Sequence, residues 1–208
     1  MRIGELSRAT GIPVPTIKYY LREGLLPAGE LSSPNQAAYG EAHVRRLRLV
    51  RALVDLAQVP VAQVKEIVAS LDADDVPLHD QIGRAHRALI PARKQTASAE
   101  AREVATAEVR ELLQRRGWQV EADGPALATL IETVATFHTL GQQNLVGFLD
   151  AYAAAVEQFT ELEVEAVTAH PTRDQVAESV VIGTILGETV ISSLRLLAQE
   201  SISARRWS

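Results

Sequence analysis

Thr16-Ile17-Lys18-Tyr19-Tyr20-Leu21-Arg22-Glu23-Gly24-Leu25-Leu26-Pro27 is the stretch that decides how this chain is read. It places two cations and two phenol hydroxyls on one short helix, which is the chemistry needed to grip a phosphate backbone. Ile17, Tyr20 and Leu21 fall on one side at helical spacing, while Thr16, Lys18, Tyr19 and Arg22 fall on the other. Pro13 and Pro15 stand where this helix begins, where a missing N–H costs nothing. Gly24 ends it, and Leu25-Leu26 turn back toward a core.

Upstream, Ile3, Leu6 and Ala9 mark a first helix, and Gly11 supplies the turn between the two, a place for a left-handed backbone. Two short helices joined at a glycine form a helix-turn-helix, whose second helix docks in a DNA groove. Downstream, Pro27 to Gly40 is rich in turn formers, with Leu31 and Tyr39 on the two arms of a small hairpin, a wing. A helix is expected over Glu41 to Ala57, with Val44, Leu47, Val50 and Val54 inward and Arg45, Arg46, Arg48 and Arg51 clustered on it. A shorter one starts at Pro60, with Val61, Val64, Val68 and Leu71 inward.

Residues 1–71 resemble the DNA-binding domain of the MerR family of bacterial transcription regulators. The residues that carry the likeness are Ile3-Gly4-Glu5-Leu6-Ser7, Thr10-Gly11, Thr16-Ile17-Lys18-Tyr19-Tyr20, Arg22-Glu23-Gly24-Leu25-Leu26-Pro27, Tyr39 and Val44-Arg45-Arg46-Leu47. The resemblance implies a dimer on double-stranded promoter DNA, RNA polymerase as a further partner, and a carboxyl-terminal part that takes an effector. It implies DNA contacts from Thr16, Lys18, Tyr19, Arg22, Asn35, Gln36, Tyr39 and Arg45. Three departures make the grip less cationic. Lys18 stands where the family usually has Arg and loses a bidentate fork. Pro15 replaces a frequently basic position. The wing reads Asn35-Gln36-Ala37-Ala38-Tyr39, without the usual arginine before the tyrosine.

Charge agrees with a head that binds phosphate. The chain has a formal net charge of −5. Yet residues 1–54 hold 8 Lys/Arg against 4 Asp/Glu, and the remainder 13 against 22. A basic head on an acidic body suits a protein that meets nucleic acid at one end. There is no cysteine, so the thiolate sensing of several family members is closed to it, and the five histidines lack metal-ligand spacing. No cofactor is expected. No phosphate loop or nucleophile arrangement suggests an enzyme. With no signal-peptide pattern and no apolar run near the ~20 residues of a membrane span, a cytoplasmic protein off the membrane is expected.

The rest reads as helical, so the fold class expected is mostly α: a winged helix-turn-helix, connecting helices and an all-helical carboxyl-terminal domain. The boundaries are 1–71, 72–117 and 118–208. An acidic break at Asp72, Asp74, Asp75 and Pro77 precedes a helix over 78–90, with Ile82, Ala85, Leu89 and Ile90 on one side. Pro91 to Ser98 reads as a loop. A helix follows over Ala99 to Arg116, with Val104, Val109, Leu112 and Leu113 inward, and Gly117-Trp118 closes it. Three more are expected: Pro125 to Leu140, Leu145 to Thr168, and Arg173 to Gln199. The second carries Leu145, Phe148, Leu149, Tyr152, Val156, Phe159 and Leu162 as its apolar face. The third is apolar nearly all round, which suits a central or subunit-contacting helix. Phe137, Phe148, Tyr152 and Phe159, with His138 and Glu188 as polar anchors, form a candidate site for a small hydrophobic organic effector. The reading is a dimeric, effector-responsive DNA-binding regulator; the alternative is a ligand- or drug-sequestering helical protein with a vestigial head. Effector identity, operator sequence, direction of regulation and dimer surface are not legible.

Overall fold

The computed structural model describes residues 1–33, 36–73, 77–90 and 95–207. The chain is mostly helical, opening with a helix-turn-helix and a two-stranded wing. It forms two compact units, one of residues 1–86 with 170–208, the other of residues 87–169. The last helix returns to the amino-terminal unit.

In the first unit, α1 (Ile3–Thr10) ends at Gly11, whose φ of 70° is left-handed and whose N–H donates to Ser7 O at 2.8 Å. The Ser7 hydroxyl donates to Ile12 O at 2.6 Å and fastens the turn. Then α2 (Val14–Arg22) starts after Pro13, with Pro15 in its first turn. Leu6, Ile17, Tyr20, Leu25 and Leu26 are buried and hold the two helices together. The wing pairs β1 (Glu30–Ser33) with β2 (Gln36–Ala38) antiparallel, Glu30 opposite Ala38 and Leu31 opposite Ala37, with an irregularity before Ser33–Gln36. Gly29 sits at its base because a side chain has no room there: a Cβ would lie 2.8 Å from Ala38 O and 2.9 Å from Tyr39 Cε1.

The long helix expected to Ala57 changes character. Its α-helical part, α3 (Glu41–Arg51), runs into a π-helical turn over Ala52–Leu56. Gln58, at φ 55°, then reverses the chain. The wider turn goes with two buried edges rather than one: Leu49 and Leu53 are buried as fully as Val44, Leu47 and Val50. In α4 (Val61–Leu71) Val64, Ile67, Val68 and Leu71 face the core, so Ile67 joins the expected set while Val61 stays half-buried.

Next, α5 (Leu78–Leu89) crosses from one unit to the other. Asp74, Asp75, the loop residues 91–94, and the side chains of Ala85 and Leu89 lie outside the described residues.

The second unit rests on α6 (Ala99–Arg116) packed against α7 (Pro125–Thr139), with Ala105, Val109, Val134 and Ala135 at the centre. Val104, expected inward, is exposed, because the neighbouring small residue Ala105 makes the contact. The helix expected from Leu145 is two elements: a single turn, α8 (Gln143–Val146), then α9 (Leu149–Thr168) beyond a break at Gly147-Phe148. Its apolar face is largely unburied, with Ala153 the buried position of α9 and Val156 and Leu162 exposed.

Finally α10 (Arg173–Trp207) continues well past Gln199. Val176, Ala177 and Val181 are buried where it packs on α4 and the π turn, and the apolar residues from Val190 onward are exposed. Contrary to the expectation from unbroken apolar runs, the segment Gln175–Trp207 is long and apolar enough by length and composition to cross a membrane. Serines and threonines interrupt the run without outweighing its valines, isoleucines and leucines.

Candidate nucleic-acid interface

The outward face of α2 is built by its inward one. Burial of Ile17 and Tyr20 fixes the rotation of the helix, and that turns Lys18 fully outward and leaves Thr16 and Tyr19 half-exposed. Burial also pushes the Tyr20 hydroxyl up from its ordinary pKa, so it stays neutral. Arg22, with 71% of its side chain exposed, places its guanidinium 5.3 Å from the centre of the Tyr19 ring. That stacking holds a cation and a phenol side by side on the surface. Glu23 would cancel this charge, but Lys65 from α4 binds its carboxylate at 2.8 Å, against 3.6 Å to Arg22. The Lys65 hydrogen bond holds the Glu23 pKa below its usual value.

The wing stands beside the amino-terminal strand of chain. Met1 N donates to Tyr39 O at 2.8 Å and Tyr39 N donates to Met1 O at 2.7 Å. Tyr39 was expected at the DNA surface, but its side chain is 7% exposed and meets the His43 ring edge-on at 5.1 Å. His43 Nδ1 in turn accepts from Gly40 N at 3.1 Å. Tyr39 therefore anchors the wing to α3 instead of presenting its ring. Gln36 is exposed on β2, and Asn35 lies outside the described residues.

The arginines of α3 divide by position around the helix. Arg45, expected at DNA, lies 3.7 Å from Glu178 of α10, and its Nε is buried without a hydrogen bond. Arg46 is 9% exposed and forms a two-pronged pair with Asp72. Leu49, Val50 and Leu53 lie three, four and seven residues beyond Arg46, so the core stripe runs directly over it; that spacing was available in the sequence and marks Arg46 as internal. Arg48 is exposed, a cation that the expected site omitted. Arg51 is exposed beside Asp55 at 3.3 Å.

The expected effector residues differ in exposure. Phe148 and Tyr152 are 51% and 48% exposed, Phe137 and Phe159 are half-buried, and Glu188 belongs to the first unit. His138 alone of the set lines a cleft of about 390 Å³ between α6, the end of α7, α8 and the start of α9. There it meets Glu108 at 2.7 Å. Glu111, Arg115 and Asp150 supply further charge, and Leu112, Val146 and Leu149 the apolar wall. Among the described residues no group of histidines and carboxylates is arranged to hold a metal ion.

Sequence reasoning also missed Glu132. Its carboxylate, buried on α7, accepts from Ala97 N at 2.8 Å and from Thr96 N and pairs with Arg102 at 3.0 Å. The Ala97 and Thr96 hydrogen bonds, ahead of Arg102, hold its pKa down to about 2.

Comparison with known proteins gives a consistent picture. Residues 1–71 match the model of the MerR HTH family regulatory protein. The chain is 33% identical over 85 residues to an HTH-type transcriptional regulator ZntR homolog of Haemophilus influenzae, which is 35% of this chain and 63% of that protein. It is 37% identical over 75 residues to the mercuric resistance operon regulatory protein of Serratia marcescens, covering 36% of this chain and 49% of the relative. The chain thus spans less than two thirds of the curated relatives it matches. In contrast, a crystal structure of SCO5550, a proposed transcriptional regulator of Streptomyces coelicolor A3(2), is similar over its whole length. The TM-score is 0.79 at 31% identity, covering 100% of this chain and 98% of the other.

Proposed function

We propose, from the match of residues 1–71 to the MerR HTH family, that the chain binds promoter DNA as a homodimer and answers to a small organic effector. The observation that carries the reading is the outward set Lys18, Tyr19 and Arg22 on α2, held in register by the buried Ile17 and Tyr20. Lys18 and Arg22 neutralise phosphates, Tyr19 adds a hydroxyl donor, and Arg48 from α3 extends the cationic track in place of Arg45. Thr16 and Gln36 lie nearest to base edges, so few side chains read sequence while several set affinity and register.

The effector reading moves from the aromatic set to the cleft at His138 and Glu108. Its apolar wall and charged rim fit an organic molecule with an apolar body and hydrogen-bonding groups. The absence of cysteine from the sequence turns this chain away from thiolate metal sensing, whatever its relatives respond to.

Binding of Lys18→Ala to DNA upstream of its own gene tests the head. Each phosphate contact contributes about 0.9 to the slope of log affinity against log salt, so the variant should bind more weakly with a slope shallower by about one. Identical slopes for the variant and the parent chain overturn the phosphate role. No specific retardation of any promoter fragment by the parent chain would favour the sequestering alternative. Trp118, hydrogen-bonded to Glu157 in the second unit, reports effectors by fluorescence once Trp207 is replaced by Phe.

A further inference from the structure

We propose that Glu178 of α10 sets the affinity of the head for DNA by holding Arg45 off the phosphates, an intramolecular brake that a shift of the first turns of α10 lifts. This rests on the DNA reading above and adds the group that governs one of its cations. Arg45 and Arg48 lie three residues apart on α3, so roughly 60° apart around its axis. Arg48 is exposed, whereas the Arg45 side chain is 35% exposed and its Nε stands 3.7 Å from Glu178 Oε2. Arg45 is therefore a rim position, between the open side of α3 and the side that α10 reaches. Its neighbour on α10, rather than the rotation of α3, decides whether it serves the surface or the interior.

Two observations make this pair a brake and not a fixed strut. The first is its geometry. At 3.7 Å the two groups attract by charge, yet Arg45 Nε is buried and donates to nothing among the described residues. Arg46, the next residue, also has an unmet Nε, but its two terminal nitrogens are both fixed on Asp72. A guanidinium held loosely, with a donor unmet, is better served by a phosphate, which accepts two parallel hydrogen bonds from the arginine fork. The second observation is how firmly Glu178 is placed. Its side chain is 14% exposed, beside the buried Val176 and Ala177 and one turn before the buried Val181. A further tie holds the same part of the helix: Thr184 Oγ1, which donates to Val180 O at 2.9 Å, lies 3.0 Å from His86 Nε2 of α5. Glu178 thus stays with α10 and acts on DNA through Arg45, as a positioning residue. Arg45 reaches a phosphate only by giving up this attraction, or when α10 moves and takes the carboxylate with it.

The test is the salt dependence of binding by the full chain to the DNA upstream of its own gene. Glu178→Gln keeps the shape and removes the charge. It should bind roughly three- to tenfold more tightly at physiological salt, with a slope of log affinity against log salt steeper by about 0.9 per chain. Glu178→Ala should give the same slope, and it answers the question if a glutamine at this site spoils the seating of α10. Arg45→Gln alone should keep the parent slope, because the parent chain holds this arginine away from DNA. Arg45→Gln combined with Glu178→Gln should return the slope to the parent value, which separates release of Arg45 from the mere loss of a negative charge. A purely structural pair would lower the melting temperature of the single variants and leave the slope alone. Parent slopes in both Glu178 variants, a shallower slope in Arg45→Gln, or a steepening that persists without Arg45 overturns the proposal. If Lys18→Ala flattens the slope while the Glu178 variants do not steepen it, this proposal fails and the DNA reading stands. If Lys18→Ala leaves the slope unchanged, the DNA reading fails and takes this one with it.

Discussion

At the scale of single residues, neighbours sort the cations of the head into structural and outward-facing ones. Lys18 and Arg22 project because Ile17 and Tyr20 are buried beside them, whereas Arg46 is drawn into the core stripe and must be answered by Asp72. Tyr20→Ala should cost the head about 3–5 kcal/mol by leaving a cavity, read as a lower urea midpoint, while the salt slope of DNA binding stays unchanged. That pattern separates it from Lys18→Ala. Glu132 carries the clearest pH signature. Its pKa in the folded chain, about 2, lies below its unfolded value of 4.5. Its stabilisation is therefore complete above about pH 4.5 and is lost as pH falls through about 2. Glu132→Gln should lower the stability of the second unit by roughly 2–4 kcal/mol near neutrality, since Arg102 and two backbone N–H groups lose a charged acceptor. Urea unfolding followed by Trp118 in the Trp207→Phe background should show a flatter acid dependence in the variant; an unchanged acid profile would remove Glu132 from this role. Glu132 was not legible beforehand, because its partners Thr96, Ala97 and Arg102 are distant in sequence.

At the scale of elements, the helices of the head were readable from period and punctuation, and α6 was located at both ends. What escaped was change within an element. The π turn at Ala52–Leu56 follows from Leu49 and Leu53 being buried together with Val50, and a single-stripe pattern of Val44, Leu47, Val50 and Val54 conceals it. The break between α8 and α9 hides in the same way, since Leu145, Phe148 and Leu149 keep helical spacing across a glycine. The wing was legible in its turn formers, and Gly29 states its cost most directly. Gly29→Ala would drive a methyl into Ala38 O and the Tyr39 ring, so one of them must move. The expected result is a loss of about 1–3 kcal/mol in head stability and weaker DNA binding, with the Lys18 contribution to the salt slope kept. Calorimetry and a salt titration on the one variant check both halves.

At the scale of the whole molecule, the sequence suggested three domains in series, while contacts divide the chain into two units, the first made from both of its outer parts. Periodicity cannot show this, because it reports which face of a helix is apolar and not which distant segment will cover it. Val181→Asp should accordingly destabilise the head although it lies far from it in sequence, lowering the melting temperature of DNA binding and leaving the acid profile of Glu132 in the second unit intact. A drop in the second unit alone would contradict the return of α10. There is a consequence for biosynthesis. The second unit is an insertion, so a ribosome must complete it before the segment that seals α4 has been made. Until then α4 packs on the π turn without its α10 contacts, so the nascent head stays short of its full packing while the whole second unit is made.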